Sequence, residues 1–349
     1  QLRRWRADHR PLEQPGARAR FGAPVDGCLA GGVSEPRVPW QVKLAALCLV
    51  WGSSFLLMMV ALRAYTPWQI VSVRIGLGAA TLYLLLAGAK GRLPTGARVW
   101  AHLWVCGFFL AALPFSCFVW AETRIPSALA GISNSTTAIT SVLAVAVLLP
   151  HQRTSGRKVL AVLTGFAGVV LVAHPWDLVG RPDPLGMGVA LLGGASYGIG
   201  WTYNRRFLAD ADLGGLSQPT ALVLTGTALI APVGLLAWWL NRDAQPRPWS
   251  PQSDDYWLPL IAMIVLAVVN TGLAYMWQYD VVRGAGPVLS STVTYLAPMV
   301  AVVLGVAVLG ERLAPIQFVG FAIVLASAWV INSPERSKAR EPGGSTSTA

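Results

Sequence analysis

Arg74 lies inside the apolar stretch Pro67–Ala87 with no other charge around it. If that stretch spans a bilayer, a charge at such depth costs roughly 2.5–3.5 kcal/mol on insertion scales, so the guanidinium must face protein or a wet cavity. An arginine so placed can anchor a solute carboxylate or close a gate as an ion-pair partner. It can equally be structural, bonded to backbone carbonyls or snorkelling to an interface. A second group is hydroxylic and amidic. Ser133, Thr137 and Thr140 share one helical face, and Asn134, Thr137 and Ser141 share another, while Ser290, Ser291, Thr294 and Tyr295 form a similar cluster further on. In lipid such faces either line a solute path or bond neighbouring helices, at typically under about 2 kcal/mol per bond. A third group is aromatic. Trp51, Ser53 and Ser54, then Tyr197, Trp201, Tyr203 and Asn204, then Asn270, Tyr275, Trp277 and Gln278 could build an aromatic pocket with a few orienting polar groups. Each is also a sound packing or interface residue.

Acids and histidines are scarce at depth. Proton coupling or gating would fall to Glu122, Glu311 or Asp280 near stretch ends, or to a histidine, and exchange against a counter-solute stays open beside it. A Walker loop, a Ser-His-Asp arrangement and metal-ligand spacing are all missing, so the sequence reads as a non-enzyme without cofactor or metal. Cys28, Cys48, Cys106 and Cys117 lack Cys-x-x-Cys pairing and read as small apolar packing residues.

The elements that must position these residues are long and apolar. Ten stretches are read as spans: Gln41–Leu62, Pro67–Ala87, Val99–Trp120, Ser127–Leu149, Val159–His174, Leu185–Phe207, Ser217–Leu240, Trp257–Val281, Pro287–Leu309 and Ile316–Ile331. A bilayer core about 30 Å thick takes roughly 20 helical residues to cross. Hydrophobic residues make up 54% and charged residues 12% of the chain, far from the soluble average. The stretches are too long and too uniform for β-barrel strands. The net charge of +11 resides in connectors and tails, which points to an anionic lipid surface rather than nucleic acid. With both termini in the cytoplasm, Lys and Arg on the inside outnumber Arg63, Arg124, Arg181, Arg242, Arg247 and Arg312 outside. Most tryptophans, such as Trp40, Trp68, Trp120 and Trp257, stand at stretch ends, as an interfacial belt requires. Residues 1–39 read as a disordered basic leader that could precede the natural start, and 333–349 as a flexible tail.

Ten spans divide into five-helix repeats at 40–176 and 177–332, and an odd number of crossings inverts one relative to the other. Pairing positions 159 apart sets Ser127–Val169 against Gly286–Ala328, with Arg153 on Arg312 and Ala138 on Ala297. The stretch Thr294–Val330, with Pro298, Gly310-Glu311-Arg312 and Gly320, resembles the end of an EamA repeat of the drug/metabolite transporter superfamily. Trp51-Gly52-Ser53-Ser54-Phe55 and the Pro67/Arg74 spacing fit the same pattern. In the first half Ile139 replaces the proline, His151-Gln152-Arg153 the connector and Ala161 the glycine, so a role for the connector glutamate carries over to Glu311 alone. The resemblance implies an all-α bundle of ten transmembrane helices in two inverted repeats, moving small organic solutes. The expectation is therefore a multi-pass carrier of the inner or plasma membrane. It would export an amino-acid-like or related metabolite by alternating access. A non-transporting scaffold or assembly subunit is the competing class.

Overall fold

Hydrocarbon offers no water to a backbone N–H or C=O, so an apolar chain satisfies itself by coiling. The computed structural model describes residues 38–149, 156–173, 182–209, 211, 213–240, 256–290 and 293–333, and among these the regular structure is all helical. In chain order the helices are α1 (Trp40–Ala61), α2 (Pro67–Gly88), α3 (Ala97–Gly107), α4 (Leu113–Ala121), α5 (Ser127–Asn134), α6 (Thr136–Leu148) and α7 (Gly156–Ala173). They continue as α8 (Pro184–Phe207), α9 (Ser217–Leu240), α10 (Trp257–Ala267), α11 (Ala274–Ser290), α12 (Val293–Leu309) and α13 (Pro315–Asn332). A π-helical turn at Phe108–Ala112 joins α3 to α4, and another at Val268–Leu273 joins α10 to α11.

Among the described residues six helices are long and apolar enough to cross a membrane: Trp40–Ala61, Pro67–Gly88, Ala97–Ala121, Ser127–Leu148, Ser217–Ala237 and Trp257–Gly284. Val159–Val172, Leu296–Leu309 and Pro315–Ile331 are apolar but shorter. The expected sixth span is helical as α8 over 24 residues, yet glycines dilute it and Arg205 and Arg206 end it. The eighth and ninth spans depart most from expectation. The helix read as ending at Val281 continues to Ser290, and the next begins at Val293 rather than Pro287. The residues 282–286, read as lying between spans, are taken into α11. The leader and tail lie almost wholly outside the described residues, as do Cys28 and the connector 150–155.

Local chemistry fixes several ends. Thr66 and Gln69 form a reciprocal capping box at α2, with Pro67 at the first helical position. Asp183 caps α8, accepting from the Gly186 amide at 2.6 Å and facing Arg124 at 3.4 Å. The Gly186 amide, with Arg124 beyond it, holds this carboxyl below the usual carboxylate range. At the end of α12 Gly310 turns left-handed (φ +68°), and the next amide, Glu311 N–H, reaches back to Gly305 O at 3.1 Å. The left-handed glycine ends the helix there, and Glu311 leaves its axis.

The packing is reciprocal. α1 lies on α12 as α8 lies on α6, α2 pairs with α9, and α7 pairs with α13. Glycine permits the closest approaches. A Cβ on Gly198 would meet Thr140 Oγ1 at 2.1 Å and the Thr137 carbonyl at 2.7 Å, and one on Gly52 would meet Ala297 O at 2.6 Å. The Gly194-x-x-x-Gly198 pattern is therefore a true helix contact. The similar Gly76-x-x-x-Ala80 is not, since a Cβ at Gly76 would meet nothing within 4 Å.

Candidate functional site

Where α1, α2, α4, α5, α6, α8, α11 and α12 converge they leave a cavity of about 650 Å³, counting the part open to solvent. Of the sequence-predicted residues, Trp51, Ser54, Arg74, Asn134, Thr137, Tyr197, Trp201, Tyr275 and Thr294 stand on its wall. They come from seven helices and span most of the described chain.

Arg74 is 4% exposed, so it does not snorkel. Nor do backbone carbonyls hold it. Its Nε donates to Thr271 Oγ1 at 3.2 Å and its Nη1 to Met58 Sδ at 3.2 Å. Its guanidinium carbon lies 3.9 Å from the centre of the Phe115 ring, a cation–π contact in a water-poor setting. Among the described residues no carboxylate forms an ion pair with it. A cation desolvated and incompletely paired, on a cavity wall, is suited to take an anion from the cavity.

The remaining wall is largely aromatic. Phe55 meets Phe118 edge-on at 5.3 Å, Trp51 meets Tyr275 at 6.1 Å, and Tyr197 stacks beside Phe118 at 6.3 Å. One polar atom stands out. Asn134 Oδ1 is buried with no hydrogen-bond donor, on the same wall as Arg74. Its neighbours are occupied: Thr137 Oγ1 donates to Asn134 O and to Gly194 O, and Ser133 Oγ to Leu129 O. Most of that hydroxyl face therefore bonds helices, and only Asn134 and Thr137 reach the cavity.

Asn270 and Trp277 were expected on the wall, and the structure does not bring them there. Asn270 Nδ2 instead donates to Val50 O and to Ser54 Oγ at 3.0 Å, tying the second π turn to α1. Trp277 is half-buried one turn beyond. Ser291 and the Tyr295 side chain lie outside the described residues. Glu311 is likewise off the wall. Its two oxygens accept the Ser127 and Ala128 amides at 2.7 and 2.9 Å, so it caps α5 from the far end of α12. Glu122 is buried close by.

Sequence reasoning missed Phe55, Met58, Phe115, Phe118 and Ala297 as wall residues, because each reads as core. It also missed the backbone repair behind the wall. Pro114 has no amide to give Leu110 O, four residues back. The Tyr275 hydroxyl donates to that carbonyl, and Ser196 Oγ donates to Phe109 O at 3.0 Å. The loosened turn around Pro114 thus fixes the tyrosine that faces the solute space.

Fold and site together define a multi-pass helical membrane protein with a central cavity walled by aromatics and one buried cation. The EamA-like transporter family model matches residues 39–173 and again 184–333, and the chain belongs to that family. The "uncharacterized inner membrane transporter YedA" of Escherichia coli K12 is 22% identical over 294 residues, 82% of this chain and 89% of its own. Protein PecM of Dickeya dadantii is 23% identical over 81% of this chain and 88% of its own. A WAT1-related chloroplastic protein of Arabidopsis thaliana is 25% identical over 88% of this chain and 72% of its own. A solved crystal structure of a protein 19% identical to this chain superposes with a TM-score of 0.57 over 84% of this chain and 96% of the other, which shows a shared fold.

Proposed function

We propose that the protein carries a small amino-acid-like metabolite across the inner or plasma membrane, with Arg74 as the anchor for its carboxylate. The observation that carries this is a buried guanidinium on a cavity wall that makes no ion pair among the described residues. Asn134 Oδ1 would take an N–H of the solute, and the ring wall of Phe55, Phe115, Phe118 and Trp201 would hold an apolar body. Transport would run by alternating access, one EamA unit rocking against the other around the cavity. The reciprocal packing of α1 on α12 and α8 on α6 supports two units in inverted orientation. Export is the direction taken from family resemblance, and both termini are placed in the cytoplasm by the charge pattern.

Purified protein in liposomes, offered a mixed panel of amino acids and small carboxylates and read by mass spectrometry, should give saturable flux of carboxylate-bearing solutes. Arg74→Ala should cut that flux about tenfold or more, since a charged hydrogen-bonded contact is worth roughly 1.5–3 kcal/mol, while leaving the protein inserted. Equal flux in the variant would remove Arg74 from the site. No flux from folded, inserted protein across a broad panel would favour the scaffold reading.

A further inference from the structure

Glu122 is not on the cavity wall, and its carboxylate makes no hydrogen bond among the described residues. It directly follows α4, is 4% exposed, and both its carboxylate oxygens are buried without a donor. Ser127 Oγ, on the first turn of α5, is also buried and unpartnered. A carboxylate in that state needs a cation or a proton, because leaving its charge uncompensated would exceed the margin of any fold.

Burial first, and Glu311 second, push the Glu122 carboxyl well above the usual carboxylate range, and the charge of Arg74 pulls against them. Glu311 already sits on the α5 amides and only adds repulsion. Arg74, from α2, is the one compensating cation among the described residues. Of the other helices packed on α4, α1 brings Met58 to Arg74 and α8 brings Tyr197 within its reach, and neither supplies positive charge. One guanidinium therefore has two claimants, Glu122 and the carboxylate of a bound solute.

We propose that Glu122 is a proton-binding site linked to the solute site: in the empty cavity Arg74 lets it ionise, and a solute carboxylate on Arg74 returns the proton to it. In the empty cavity that ionisation comes above a raised deprotonation pH. The inference rests on the reading of Arg74 as carboxylate anchor. The balance is simple. One solute carboxylate and one proton enter together, the proton arriving from the aqueous side to which the cavity is open and forming an O–H bond on Glu122. Before and after, the buried charge is one guanidinium against one carboxylate. The proton then accompanies the solute, in whichever direction their combined gradients run.

The sign of the pH effect follows. Above the pH at which Glu122 of the empty site loses its proton, binding must take one up, and the dissociation constant rises about tenfold per pH unit. Below that pH it is flat. The test uses the full chain in lipid nanodiscs with L-phenylalanine as probe, binding read by tryptophan fluorescence and proton uptake read in weakly buffered solution. About one proton per phenylalanine and the tenfold slope are expected, both lost in Glu122→Gln. Phenethylamine, which lacks the carboxylate, should take up none. Phenylalanine binding with neither uptake nor slope overturns the proposal and leaves the anchor standing.

If phenylalanine does not bind, the anchor reading fails for that solute, and infrared spectra of the empty protein still decide on Glu122. Arg74→Gln should add a protonated-carboxyl band that is absent from Arg74→Gln/Glu122→Gln. Identical spectra overturn the proposal. Should Arg74→Gln not fold, acid titration of the wild type against Glu122→Gln replaces it. A carboxyl protonating on acidification in the wild type alone is expected, and one already protonated at alkaline pH overturns the proposal.

Discussion

A proline, a tyrosine and an arginine show how the site is held at the scale of single residues. Pro114 frees a carbonyl, Tyr275 answers it from another helix, and the same tyrosine ring forms the wall near Arg74. Tyr275→Phe removes the side-chain donor that Leu110 O has among the described residues and should cost about 1–2 kcal/mol of stability. Unfolding of the purified protein in denaturing detergent would read this. In a Pro114→Ala background, where residue 114 regains an amide, the cost should shrink, and a double-mutant cycle measures the difference. Equal costs in both backgrounds would separate the tyrosine from the proline. Arg74 was legible in the sequence because a lone charge in an apolar run has few innocent explanations. Tyr275 was legible only as a pocket aromatic, and Phe115 not at all, since a phenylalanine under a guanidinium has the same sequence neighbourhood as one in a core. Asn270 misled for the opposite reason. Its polarity marked it as a ligand contact, and the π turn instead aims it at the backbone of α1.

Helices meet here through glycine, and not all glycines share the task. Gly198→Ala would drive a methyl into Thr140 and the carbonyl of Thr137 and should destabilise the protein by about 1–3 kcal/mol. Gly76→Ala faces open space within α2, where alanine is the better helix former by about 0.5–1 kcal/mol, and should be neutral or stabilising. Equal losses for the pair would show that propensity rather than packing governs these sites. Both glycines carry the same small-x-x-x-small signature, which records spacing along a helix and not the direction it faces. Element existence was easy to read because lipid enforces helices. Element ends were harder. Residues 282–286 read as lying between spans, yet α11 continues through them, and the two π turns leave no mark in the hydropathy.

Charge bias and hydropathy describe the chain as a whole, and here the sequence reading went furthest. A membrane-embedded, multi-pass EamA protein follows from span length, tryptophan placement and the Gly310-Glu311-Arg312 connector. Sidedness is open to a direct test. Thr123 and Thr95 are exposed in connectors at opposite ends of the bundle, and Cys48, Cys106 and Cys117 are buried. In a Cys28→Ser background, a membrane-impermeant thiol reagent applied to intact cells should label Thr123→Cys and spare Thr95→Cys until the cells are opened. The reverse pattern would place the termini outside. The two π turns, at Phe108–Ala112 and Val268–Leu273, carry a last consequence. Each is a helix with one residue too many, and they lie at matching points of the two EamA units, about 160 positions apart on the same offset that aligns the repeats. An insertion shared by both copies is most simply inherited from before the copying. The π turn would then be older than the two-unit protein, a fossil of its single-unit ancestor.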